Sequence, residues 1–135
     1  MSEPIWIDAD ALRLLHGESL AEFGGLSGMR DKGLFLSALA RPRNLFVYEE
    51  VTNISRLAAA YAYGLARNHT CGQALCFSDG NKRAAFLAIG MFLAINGFLL
   101  KVEPTEAVNT MLALAAGDLT ELDLASWIEK FIVQA

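Results

Sequence analysis

Ahead of a long apolar run that begins Ala84-Ala85, the chain gathers an acid, a glycine, an amide and two cations in Asp79-Gly80-Asn81-Lys82-Arg83. A turn that brings unpaired backbone N–H groups and cationic side chains to a helix N-terminus makes an anion site. Asp79 is placed to hold a divalent cation, Mg²⁺, of the kind that accompanies phosphate ligands. Phosphoryl transfer needs little covalent chemistry, but it does need charge stabilisation around the moving group. Lys82 and Arg83 would pair with phosphate oxygens, Asn81 would donate its amide, and Gly80 permits close backbone approach. A target hydroxyl would also need a base. Taken alone, such a pentapeptide is more often a plain turn followed by a solvated first turn of helix. Its surroundings have to decide.

Those surroundings are acidic and apolar. Of 135 residues, 54% are hydrophobic, and the formal net charge is −4. The length suits one domain, residues 1–135, with a substantial core. The charge argues against direct nucleic-acid or anionic-membrane binding and makes a local pair of cations more informative. Met1-Ser2-Glu3-Pro4 has no basic segment leading into an apolar one, so no signal peptide is expected. The run from Ala84 to Ile95 is too short to span a bilayer before Asn96-Gly97 breaks it. A cytoplasmic protein is the expectation.

The elements that would position the loop read as helices throughout. Ile5-Trp6-Ile7 is a short strand or an extended lead-in. Asp8 caps a helix from about Ala9 to Phe23, with Leu12, Leu15, Leu20 and Phe23 as core candidates. Gly24-Gly25 stops it. Asp31 opens a shorter helix holding Leu34, Phe35, Ala38 and Leu39, expected to end before Pro42. Arg41-Pro42-Arg43-Asn44 then reads as a polar connector, with Leu45 to Tyr48 packing inward beside it. Asn53 caps the next helix, which carries Ile54, Leu57, Ala58, Tyr61, Ala62 and Leu65 on one face.

Ala84 to Ile95 is apolar on nearly every side, the pattern of a buried central helix. Phe98 to Val102 reads as extended and Thr105 to Ala116 as a helix closed by Gly117. Thr120 with Asp123 forms a capping box for a last helix. His16, Tyr61, Tyr63, Phe92 and Trp127 read as structural. The expected fold is all-α, a single bundle of about six helices around a buried central one.

With these segments in view, Phe77-x-Asp79-Gly80-Asn81-Lys82-Arg83 resembles the core motif of the Fic/Doc family, H-x-F-x-D-G/A-N-K-R. Leu26-Ser27-Gly28-Met29-Arg30-Asp31 resembles the family's G-x-R-D segment. Ala38-Leu39-Ala40-Arg41-Pro42-Arg43-Asn44 is similar to its A-L-A-R-P-Q-N. Tyr63 to His69 resembles the approach to the catalytic histidine, and Phe92-Leu93-x-x-Asn96-Gly97 the end of the following helix. Five segments in register over about residues 5 to 100 make a specific match. Fic AMP-transferases resemble G-N-G-R-x-x-R, whereas here Lys82 replaces the second glycine and Phe86 the second arginine.

That pattern resembles the Doc branch. It implies a toxin of a toxin–antitoxin pair that moves the γ-phosphoryl group of ATP, or another nucleoside triphosphate, to a threonine of elongation factor Tu and so inhibits translation. It also implies Mg²⁺ and a Phd-like antitoxin as neutralising partner. The resemblance gives His69 the catalytic role.

One departure bears on that role. The family has one residue between histidine and phenylalanine; here seven, Thr70 to Cys76, separate His69 from Phe77. Removing Thr70 to Leu75 restores the motif, so an insert occupies residues 70–75. Either it bulges and leaves His69 in place, since extra loop length costs little entropy, or it displaces the base and impairs catalysis. Both cysteines, Cys71 and Cys76, lie in this stretch and are the candidate redox pair; two reduced thiols are the plainer reading in a cytosolic protein. The hinge would also permit domain exchange into a homodimer. The function classes left open are a Doc-type kinase, a nucleotide- or partner-binding homologue without turnover, and, less favoured, a Fic-type AMP-transferase.

Overall fold

Asp8 accepts the Ala11 N–H through its carboxylate at 3.0 Å and starts α1 (Ala9–Phe23). The computed structural model describes residues 3–23, 32–67 and 81–135. Within these, five further helices follow: α2 (Lys32–Glu49), α3 (Ile54–Arg67), α4 (Asn81–Ile95), α5 (Pro104–Ala116) and α6 (Glu121–Phe131). A two-stranded ribbon completes them. The all-α expectation holds, and the stop at Gly24-Gly25 and the segment Leu26 to Asp31 lie outside the described residues.

The second helix corrects the sequence reading. It does not end before Pro42 but runs through it to Glu49, so Arg41 to Asn44 are helical rather than a connector. Proline in a helix interior normally costs about 3 kcal/mol, because it lacks the N–H and crowds the carbonyl four residues back. Here the Pro42 ring is fully buried with Phe35, Ala38 and Leu45 on the same helix, and this packing offsets the lost bond. The inward packing expected after the proline stops at Phe46, and Tyr48 is 79% exposed. The helix ends at Glu50, in the left-handed region at φ 57°, which lets the Val51 N–H reach the Leu45 carbonyl at 3.1 Å.

Asn53 caps α3, its side-chain oxygen accepting the Arg56 N–H at 2.9 Å. From Leu57 to Ala62 every side chain of α3 is buried, and α2, α4, α5 and α6 all pack against it. Alanines at 58, 59, 60 and 62 make this possible, since small side chains let four neighbours approach one axis. Beside it, α4 packs against α1, α3, α5 and the strand that follows it. The more uniformly apolar α4 buries Ala84, Ala85, Ala88, Ile89, Phe92 and Leu93 but exposes Ile95.

Beyond α4, Gly97 takes φ 88° and turns the chain into β1 (Phe98–Leu100). This strand pairs antiparallel with β2 (Ile132–Gln134), Leu99 opposite Val133, a strand the sequence reading did not anticipate. Thr120 and Asp123 form the expected reciprocal cap on α6, and Gly117 closes α5 at φ 88°. Arg41 reaches across to Glu121 at the start of α6 and lies over the Tyr63 ring.

Ile5 to Ile7 form the lead-in rather than a strand. The Asn96 side chain accepts the Ile5 N–H at 2.8 Å and donates to the Ile5 carbonyl at 2.9 Å. Trp6 stacks on Phe92 and meets Phe46 edge-on.

Candidate functional site

The cationic pair stands at the start of α4. Asn81 is the helix's first residue, and Lys82 and Arg83 follow in its first turn, Lys82 exposed and Arg83 half-buried. That turn holds no acidic residue. Two cations at the positive pole of a helix dipole are locally unfavourable, by a few tenths to about 1 kcal/mol each. A bound anion reverses the sign of that interaction.

The far end of α4 is fixed by the Asn96 amide, which also donates to the Phe92 carbonyl at 2.9 Å. The lead-in is tied to α3 as well: the Ile7 N–H donates to the Tyr61 hydroxyl oxygen at 3.1 Å. Burial pushes the Tyr61 phenol above its ordinary value, and the Ile7 hydrogen bond opposes this without cancelling it. From Lys82 to Asn96 is about 21 Å at 1.5 Å per residue. The anchored core and the cationic turn are thus opposite ends of one helix.

Beside Lys82 and Arg83 a groove of about 610 Å³ opens between α4 and α5. Phe86 lines it from α4, and Val108, Met111 and Leu112 line it from α5. Val108 is 58% exposed and Leu112 49% exposed, so this face of α5 is apolar without being covered. The groove eluded the sequence reading. The period of α5 was legible, but which neighbour its apolar positions face depends on how α4 and α5 pack. A second cavity, about 570 Å³, is lined by Glu103, Glu106 and Trp127, and its carboxylates would repel a phosphate. The geometry therefore favours the α4–α5 groove for an anionic ligand with an apolar part.

His69, Cys71, Cys76, Asp79 and Gly80 lie outside the described residues. His16, set aside as structural, is 2% exposed on α1, consistent with that reading. Among the described residues no helix is long and apolar enough to cross a membrane.

Comparison with known proteins gives these features a context. The Fic/DOC family model matches residues 6–93. The chain is 29% identical over 124 residues to "Protein kinase doc" of Escherichia phage P1, covering 92% of this chain and 93% of that protein. It is 39% identical over 82 residues to "Toxin Doc" of Mycolicibacterium smegmatis, covering 60% of this chain and 58% of that protein.

Proposed function

The chain belongs to the Fic/DOC family, as a Doc-type member, and from that premise we propose that it is a toxin that transfers the γ-phosphoryl group of a nucleoside triphosphate to a protein hydroxyl. The observation that carries this reading is the placement of Lys82 and Arg83 on the first turn of α4, at one end of an apolar groove. The phosphates would lie at the cationic turn, with Asn81 and the Gly80 backbone completing the cradle, and the base would lie toward Phe86 and α5. Phe86 stands where AMP-transferases of the family resemble one another in having arginine. An apolar ring there gives no support to a further phosphate, which favours phosphoryl over adenylyl transfer.

In the reaction the target hydroxyl oxygen forms a bond to the γ-phosphorus while the bond to the β–γ bridging oxygen breaks, and the nucleoside diphosphate leaves. His69 would take the hydroxyl proton. Lys82 and Arg83 would stabilise charge on the phosphoryl oxygens. Asp79 would hold Mg²⁺, whose charge offsets that of the phosphates. Elongation factor Tu is the proposed target, so that translation stops, and a Phd-like antitoxin is the proposed neutralising partner.

The seven residues between His69 and Phe77 favour one second reading. A displaced base would leave a protein that binds nucleotide but does not turn it over.

Incubation with purified elongation factor Tu and ATP labelled at either the α or the γ position separates these readings. Label arriving from the γ position supports the kinase. Label from the α position alone contradicts it in favour of AMP transfer. No label from either, with transfer regained on deleting Thr70 to Leu75, supports the impaired homologue.

A further inference from the structure

Apart from Lys82 and Arg83 at one end, the described side chains lining the α4–α5 groove are hydrocarbon, aromatic or thioether: Phe86, Val108, Met111 and Leu112, with Val102, Pro104 and Ala107 completing the lining. Nucleobases differ in the donors and acceptors along their edges. A site separates them strongly only when it presents matching polar groups, in which case an analogue lacking the match is rejected by about 10⁴-fold or more. An apolar pocket separates similar ligands by only about 10- to 200-fold. Every base has a π-face to lay on an aromatic ring or an aliphatic wall, so stacking tolerates all four. The volume of about 610 Å³ lies within the range of small-molecule sites and admits a purine as well as a pyrimidine.

We propose that this chain is indifferent to the base of its nucleoside triphosphate: Lys82 and Arg83 hold the phosphates by charge, and the apolar groove takes whichever base is attached. This rests on the triphosphate reading above and adds what sets the choice of nucleotide. The charge complementarity at the cationic end commits the groove to an occupant with an anionic tail and an apolar or aromatic body. The two residues at its rim, Val108 and Leu112, are then the ones that meet the base from α5.

The test uses the full chain and titrates it with the Mg²⁺ complexes of ATP, GTP, CTP and UTP, and with inorganic tripolyphosphate. The double variant Val108→Ser with Leu112→Ser is titrated alongside. Both positions are about half exposed, so the variant is expected to fold. The expected result is four dissociation constants spread by no more than about 200-fold, the limit for an apolar pocket. In the double variant all four nucleotides should weaken together, by about fivefold or more, while tripolyphosphate binding is unchanged.

A preference of more than about 200-fold for one base would overturn the proposal, since an apolar groove does not supply it. So would a double variant that binds nucleotides as the parent does, since the base would then lie elsewhere and the groove would belong to another occupant, such as an apolar peptide. If tripolyphosphate and all four nucleotides fail to bind, the triphosphate reading itself fails. If they bind but one base is selected, only the indifference fails.

Discussion

A Cβ at Gly64 would lie 3.0 Å from the Cβ of Ala38 and 3.5 Å from the Ala38 carbonyl oxygen. That carbonyl is the one four residues before Pro42, and so the one that proline leaves without a helical donor. A close approach of α2 to α3 therefore occurs where α2 has lost a hydrogen bond, and the missing side chain at Gly64 makes room for it. Two of the segments that resemble the family, Ala38 to Asn44 and Tyr63 to His69, meet at this point.

Gly64→Ala should destabilise the protein by about 1–3 kcal/mol, because the new methyl group meets α2 backbone as well as a side chain. Helix propensity alone would predict the opposite sign, since alanine is the better helix former by about 1 kcal/mol. Chemical denaturation of parent and variant decides between them. The companion variant Ala38→Gly should relieve part of the loss in Gly64→Ala.

Glu50 offers a stabilising change. Its φ of 57° places an L side chain in the left-handed region at the end of α2, and its carboxylate is exposed. Glu50→Gly removes a strain of about 1 kcal/mol. Its melting temperature should rise by a few degrees, and an unchanged or lower value would count against strain at this turn.

Asn96 holds the lead-in by two hydrogen bonds to Ile5 and one to the Phe92 carbonyl. Asn96→Ala should cost about 1–3 kcal/mol and should release the N-terminal segment. Limited proteolysis would detect that release as faster cleavage ahead of α1. Asn96→Asp retains an acceptor for the Ile5 N–H but no donor, and should fall between the two.

The Tyr61 hydroxyl is buried, and its folded-state pKa is raised above its ordinary value near 10. The neutral phenol is thus the form the fold favours. Its contribution is fully present below pH 10 and is lost as pH rises from there through the raised pKa. Tyr61→Phe should lower stability near neutral pH, by loss of the Ile7 hydrogen bond, and should flatten the alkaline decline in an unfolding profile.

Much of this architecture was legible because it is written locally. Asp8, Asn53, the Thr120–Asp123 pair, Gly97 and Gly117 each set a boundary through bonds within a few residues, and each boundary appears where the sequence placed it. Pro42 misled because its cost is local while its compensation, burial against the core, is tertiary. The strand at Ile132 to Gln134 was missed for the same reason, since a short segment becomes a strand only by pairing with Phe98 to Leu100. At the site, the cationic turn could be read from residue types. The groove beside it could not, because it is the space left between two helices rather than a property of either. The positions of His69, Asp79 and the cysteines fall outside the described residues; the roles of His69 and Asp79 rest on the motif, and the pairing of Cys71 with Cys76 on their spacing alone.

If the first turn of α4 binds a triphosphate, as proposed, its two cations set the affinity. Titrating the Mg²⁺ complex of ATP into the parent chain and into Lys82→Ala, Arg83→Ala and the double variant measures this. Each single change should weaken binding by about tenfold, as expected for one charge-assisted hydrogen bond to phosphate, and the double variant should weaken it further, with circular dichroism unchanged. A double variant that keeps its fold and binds ATP as tightly as the parent would place the triphosphate elsewhere.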